Sequence, residues 1–401
     1  MSTTTTAAAD LTKNLLDFTA SLPAEIGNEE REALLAACEK TRSALENPLE
    51  ATVRFMFGPF QSVALCLGVN MKLLDLGLAA HGPITAEQLA AGSNADALLV
   101  VRVMRILVTM GIFEEVAHHT YVATPLAGIW ASGSPLRESI IHIASQIPPI
   151  TMLPEYFEEK GYNNPTDAEN GPFQFTYQSK MHFFEWLSQR PKVQSAFNAT
   201  MEIARNGRGQ EWFEFYPVAE KLTLADRDST AILLVDIGGN VGYDLINFQR
   251  RFPELPGRLV FEDLPTIISS VDTLPEGVEA VGHDFFQPQP STIRNAKAYY
   301  LRNILHDWPD KQSKQILENI RPLMGKDTVL LINENALPDD NVGFYPAALD
   351  LIMMGVFASL DRTASQFEQL LDSAGFKLVA TWRPKDYGPG SGTLFEAALK
   401  D

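Results

Sequence analysis

His306, in "YYLRNILHDWPDKQ", is the residue best suited to acid–base work. An imidazole with an unperturbed pKa of about 6.5 takes a proton from a phenol or hydroxyl at neutral pH. A carboxylate near its distal ring nitrogen fixes the tautomer and stabilises the imidazolium. Glu334 in "LLINENALP" and Asp361 in "SLDRT" follow later elements and are placed to flank it. Asp307 is expected instead to be a helix-entry carboxylate, because "DWPD" opens the next helix. An isolated histidine reads as a packed or surface group. His306 gains weight because it follows a strand on an edge that carries ligand-binding motifs.

The first of those motifs is "LLVDIGGNVGYDLINFQRRFP", a strand, a glycine turn and a helix. Gly238 and Gly239 allow a sharp turn and close backbone approach to a ligand, and Gly242 allows tight packing of the helix. Asp236, at the strand end, is placed to meet a cationic ammonium or an ordered water. Glycines at 238, 239 and 242 do not match G-x-G-x-x-G, so a pyrophosphate cradle is disfavoured. Asp263 in "RLVFEDLP" ends the next strand and suits a pair of ribose hydroxyls. Asp284 and Phe285 in "GHDFF" end a third, a carboxylate for an amino group beside a ring to cover a base. Each acid alone reads first as a helix cap. Three in order at successive strand ends point to a nucleoside-bearing ligand.

These residues need an α/β scaffold, and the sequence supplies its texture. From Ala231 onward short buried strands alternate with helices, which implies βαβ units and a mostly parallel, Rossmann-like sheet. We divide the chain into a disordered tail over 1–10, a helical region over 11–205 and the α/β region over 206–401. In the helical region Thr85 is expected to cap a helix whose third residue is Gln88. A second helix ends near Gly111, and "HHTYVATPLA" forms a small β-wing. This is a winged-helix pattern. Its second helix lacks the basic residues of a DNA reader, so a dimerisation scaffold is the expectation.

Composition narrows the classes. A chain of 401 residues suits two domains, and a formal charge of −18 opposes nucleic-acid binding. Cys38 and Cys66 are too few for a disulfide framework or a zinc site and read as buried thiols. No acidic or histidine cluster has metal-ligand spacing, so no metal is expected. We find neither a secretory signal nor an apolar run approaching the roughly 20 residues that span a bilayer, so a cytoplasmic protein without a membrane partner is expected.

As an ordered set, "VDIGGNVG", "FEDLP", "GHDFF", "LRNILHDWPD", "NENALP" and "DRTASQFEQLLDSAGF" resemble the plant and fungal small-molecule O-methyltransferases of the caffeate and hydroxyneurosporene type. The resemblance covers residues 50–400 and looks closest to fungal secondary-metabolite members. It implies a class I methyltransferase domain, an S-adenosyl-L-methionine cofactor, a small-molecule substrate and a homodimer closed by its N-terminal regions. By that similarity Asp236, Gly238, Gly239, Asp263, Asp284, Phe285 and Arg302 would bind cofactor. His306 would be the base, flanked by Glu334 and Asp361. Two departures stand out: Asn240 replaces a third glycine, and Asp361 stands where glutamate is usual.

The substrate side carries no pattern. His142, Phe175, Phe184, Met201 and Met353 are candidate lining residues, with ordinary core packing the competing reading for each. The resemblance also admits a second activity: fungal relatives that keep the cofactor but catalyse dehydration or pericyclic ring formation, with His142 and Arg302 polarising a carbonyl. Retention of His306, Glu334 and Asp361 favours methyl transfer. A ligand-sensing DNA regulator is the third and weakest reading.

Overall fold

The computed structural model describes residues 3–23, 26–207, 209–224, 230–385 and 392–400. Its α/β part holds a seven-stranded sheet in the order β6-β5-β4-β7-β8-β10-β9. The strands are β4 (Ile232–Ile237), β5 (Arg258–Asp263), β6 (Val278–Gly282), β7 (Ala298–Arg302), β8 (Val329–Glu334), β9 (Phe376–Trp382) and β10 (Thr393–Leu399). β4 to β8 run parallel, whereas β10 is antiparallel to both β8 and β9 and lies between them. The alternation along each strand buries both faces. Val235, Tyr299 and Ile332 point into one apolar cluster, and Leu234, Tyr300 and Leu331 into the other. Because β4, β5, β7 and β8 are parallel, Asp236, Asp263, Arg302 and Glu334 emerge together at one edge.

The N-terminal half is helical around a small three-stranded sheet of β1 (Ile84–Thr85), β3 (Thr120–Ala123) and β2 (Phe113–Ala117). Thr85 caps the helix Ala86–Ser93, its hydroxyl accepting from the Gln88 N–H at 3.3 Å, while the Gln88 side chain accepts from the Thr85 N–H at 2.8 Å. The following helix, Ala97–Thr109, buries Val100, Val103, Met104 and Leu107, and the β2–β3 hairpin is the expected wing.

Three helices precede this module: α1 (Thr3–Ala20), α2 (Asn28–Leu45) and α3 (Pro48–Asn70). The tract expected to be disordered over 1–10 is helical from Thr3 onward; its alanines have the highest intrinsic helix propensity. Cys38 is exposed and Cys66 half-buried, against the expectation of buried thiols. Helical periodicity predicted an apolar face, and among the described residues Leu34 and Leu35 on that face of α2 stay exposed. The expectation of no membrane-length apolar segment also needs correction. By length and composition alone, α3 is apolar enough to cross a bilayer. The sequence hides this by placing Glu50 and Arg54 in its first two turns.

Candidate active site

β7 ends at Arg302, and the chain then makes a tight turn, Leu305–Asp307, that presents His306. Its imidazole sits between two acids. Nδ1 lies 3.5 Å from Asp361 Oδ1 and Nε2 lies 3.6 Å from Asp307 Oδ1. Asp361 thus reaches the ring directly despite its shorter side chain. Asp307 is not the helix-entry carboxylate expected from the sequence. Trp308 and Pro309 delay the helix, which starts at Asp310 with Pro309 as its cap.

Glu334 lies beneath the turn and not against the ring. Its Oε1 accepts the backbone N–H groups of Ile304 at 3.0 Å and Leu305 at 2.8 Å. Its Oε2 is buried without a protein hydrogen bond. Burial pushes the Glu334 carboxyl above its ordinary range, an effect countered by His306 and those two N–H donors. Burial likewise lifts Asp307, to about 6. For His306, burial disfavours the imidazolium, but Asp307, Glu334 and Asp361 together outweigh it and raise the pKa above the ordinary value. The three carboxylates therefore hold a proton on His306 more firmly than an isolated imidazole would.

Along the same edge lies the glycine turn. Gly238 has φ +75°, and a Cβ there would fall 2.5 Å from Ile304 Cδ1 and 3.7 Å from Phe285 Cε1. A side chain would fill the space between those two residues. Asn240, at φ +55°, occupies the left-handed region that Asn tolerates, so loss of the third glycine leaves the turn intact. Its N–H donates to Asp263 Oδ2 at 2.8 Å, and the Leu264 N–H donates to Oδ1 at 2.7 Å. Each carboxylate oxygen keeps acceptor capacity for a hydroxyl. Asp284 Oδ1 accepts the Phe286 N–H, and Asp236 is buried at the end of β4. Three carboxylates on one edge repel phosphate and suit a ligand rich in hydroxyls, amines and positive charge.

Arg302 is part of this edge but is already engaged. Its Nη1 lies 3.1 Å from Asp244 Oδ2 and 3.9 Å from Glu211 Oε2, and Tyr300 also donates to Asp244. Asp244 escaped the sequence reading because it looks like an ordinary first-turn helix acid.

The substrate candidates separate. Phe184 and Met353 pack against a ring-rich cluster with Phe173, Phe183, Trp186 and Phe357. Phe175 instead meets Tyr156, and Met201 is exposed on the helix Pro191–Asn206. His142 faces the core on the helix Pro135–Thr151, edge-on to Phe197, with its Nδ1 unpartnered; burial lowers its pKa to about 4. His182 was not assigned from sequence. It stacks on Trp308 with centroids 4.7 Å apart, its Nε2 is buried without a partner, and burial lowers its pKa to about 4.

A mostly parallel seven-stranded sheet, a glycine turn at its first strand and acids at the next strand ends define a class I methyltransferase domain. The preceding helical module is a dimerisation domain. Family models agree: residues 166–377 match the O-methyltransferase domain and residues 53–133 the O-methyltransferase dimerisation domain. The chain belongs to the O-methyltransferase family. It is 37% identical over 348 residues to O-methyltransferase asqD of Emericella nidulans, covering 84% of this chain and 88% of that one. It is 30% identical to a demethylsterigmatocystin 6-O-methyltransferase of Aspergillus parasiticus, covering 82% and 84%. A solved structure described as a pericyclic reaction enzyme superposes with a TM-score of 0.78 at 25% identity, covering 99% of this chain and all of the other.

Proposed function

We propose that this chain transfers a methyl group from S-adenosyl-L-methionine to a hydroxyl of an aromatic or polyketide-type small molecule in secondary metabolism. The observation that carries this is His306, held between Asp307 and Asp361 on the edge that also bears the glycine turn and Asp263. Asp236, Gly238, Gly239, Asp263, Asp284 and Phe285 would hold the cofactor, with Arg302 orienting the acids beside it. When bound, the cofactor supplies an electrophilic methyl group on a cationic sulfonium, and that positive charge favours the neutral imidazole. His306 takes the hydroxyl proton at its ring nitrogen, and the flanking carboxylates stabilise the imidazolium that results. Glu334 fixes the turn through two backbone N–H groups. Phe184 and Met353 offer apolar lining for a planar substrate. The working form is a cytoplasmic homodimer joined through the N-terminal helices, with no nucleic-acid or membrane partner.

A second reading, a pericyclase or dehydratase that binds the cofactor without consuming it, is favoured by the likeness to the pericyclic enzyme and by the buried neutral His142. Against it, Arg302 is engaged by Asp244 and lies near Glu211, and so is not a free partner for His142. Mass spectrometry decides between the two. The purified protein is incubated with a panel of phenolic and polyketide hydroxyl compounds and methyl-labelled cofactor. Labelled product with stoichiometric S-adenosyl-L-homocysteine supports methyl transfer. Retained cofactor with isomerised or dehydrated substrate supports the alternative.

A further inference from the structure

The turn that presents His306 has little regular structure to hold it. It is three residues of 3₁₀ geometry between a strand and a proline. Yet its carbonyls are held by side chains. Arg362 Nη1 donates to the Leu305 carbonyl at 2.6 Å, and Arg362 Nη2 donates to the Trp308 carbonyl at 2.9 Å. The Ser359 hydroxyl donates to the carbonyl of His306 itself. Ser313 adds bonds to the Leu305 and Trp308 carbonyls at 3.2 and 2.9 Å.

The Arg362 guanidinium is fully buried, although its Nε–Nη2 side meets Asp310, whose carboxylate is largely exposed. A buried cation with such a solvated partner is costly unless carbonyls complete its shell, as these two do. The backbone of Arg362 is anchored as well, its carbonyl accepting the Leu337 N–H at 3.0 Å just beyond β8. From the opposite side Glu334 takes the N–H groups of Ile304 and Leu305. The turn is thus gripped by its N–H groups from β8 and by its carbonyls from the 359–362 segment.

We infer that Arg362, assisted by Ser359, is the positioning residue that sets the angle of His306. The segment that carries Asp361 to one ring nitrogen also pins the peptide groups on either side of the ring. Base and flanking acid therefore cannot shift independently. This inference rests on the methyl-transfer reading only for its kinetic consequence; its structural consequence stands alone.

The test compares R362K, S359A and D310N with the wild-type full-length protein. Amide exchange is followed by mass spectrometry, and methyl transfer is measured to the best acceptor from the phenol panel. In R362K, exchange of the 303–310 peptide should rise about tenfold or more, with smaller change in S359A and none in the 232–263 region. A misplaced base should lower kcat by up to about 100-fold while KM for S-adenosyl-L-methionine stays within about twofold. D310N, which keeps both carbonyl bonds, should behave as wild type. Unchanged 303–310 exchange in the folded variants overturns the inference. So does a D310N loss equal to that of R362K, which would place the effect in the helix start. Should R362K fail to fold, S359A decides alone. A wild type that methylates nothing, with the local exchange change intact, sinks the methyl-transfer reading and leaves the positioning role standing.

Discussion

The edge around His306 and the layer formed by α1 to α3 are built on opposite terms. Around His306 a single chain satisfies itself: Glu334 is 1% exposed, Arg362 is 1% exposed, and most polar atoms that shape the turn have partners. In α1 to α3 a single chain leaves its apolar residues in water, with Leu16 66% exposed, Leu35 59%, Phe55 69% and Phe57 56%. Large exposed apolar side chains repeated along three helices mark an interaction site and not a finished exterior. The groups that surround His306 all come from one copy. Residues 53–133 match a dimerisation domain, and a second copy is the cover we propose for these faces.

The sharpest way to test the first half of that contrast is His306→Ala. Loss of the base should lower kcat by about 100- to 10,000-fold while cofactor affinity holds, read by labelled methyl transfer and calorimetry. Unchanged turnover would move the chemistry elsewhere. Next in size is Asp263→Ala. A charged acceptor for two hydroxyls contributes roughly 1.5–3 kcal/mol per bond, so the cofactor Kd should rise about 100-fold or more in calorimetry.

The second half of the contrast is tested by Leu35→Glu with Phe57→Glu. Each apolar side chain returned to water forfeits roughly 1.5–3 kcal/mol of burial, so sedimentation should show dimer dissociation shifted at least about tenfold per site. Amide exchange in β4 to β8 should not move. A dimer that survives both charges would mean these faces serve another partner.

The smallest effect concerns pH. His142 and His182 are held neutral by burial, their pKa values lowered to about 4. Between that value and the ordinary one of about 6.5 the unfolded chain binds more protons than the folded one. Stability is therefore full above about 6.5 and falls as pH drops toward 4. His142→Gln should flatten this acid limb in thermal melts at pH 4.5 to 7; an unaltered limb would assign it to other groups.

Much of this site was legible because its residues sit at strand ends, where period-two burial and a following turn fix position. Asp236 and Asp263 fall there, Asp284 lies two residues past the end of β6 at Gly282, and the Thr85–Gln88 cap was readable from local chemistry alone. The misreadings share a cause. Asp307 and Glu334 exchanged parts because which acid meets a ring and which meets the backbone depends on a three-residue turn with no periodic signal. Arg362 went unnoticed because "DRT" before a helix looks like a solvated cap. Its burial follows only when the carbonyls of Leu305 and Trp308 converge from 57 and 54 residues upstream. Cys38 was misjudged for the opposite reason: periodicity reveals an apolar face but not which molecule covers it.

The position of β10 between β8 and β9 carries a consequence in time. The strand ending in Glu334 has its outer flank open until Thr393 arrives opposite it. At about 5–20 residues per second, several seconds of synthesis separate those two residues. During that interval the acid that grips the His306 turn stands at an unpaired strand margin. The strand that grips the His306 turn therefore gains its last neighbour only after the glycine turn and its neighbouring strands have been synthesised.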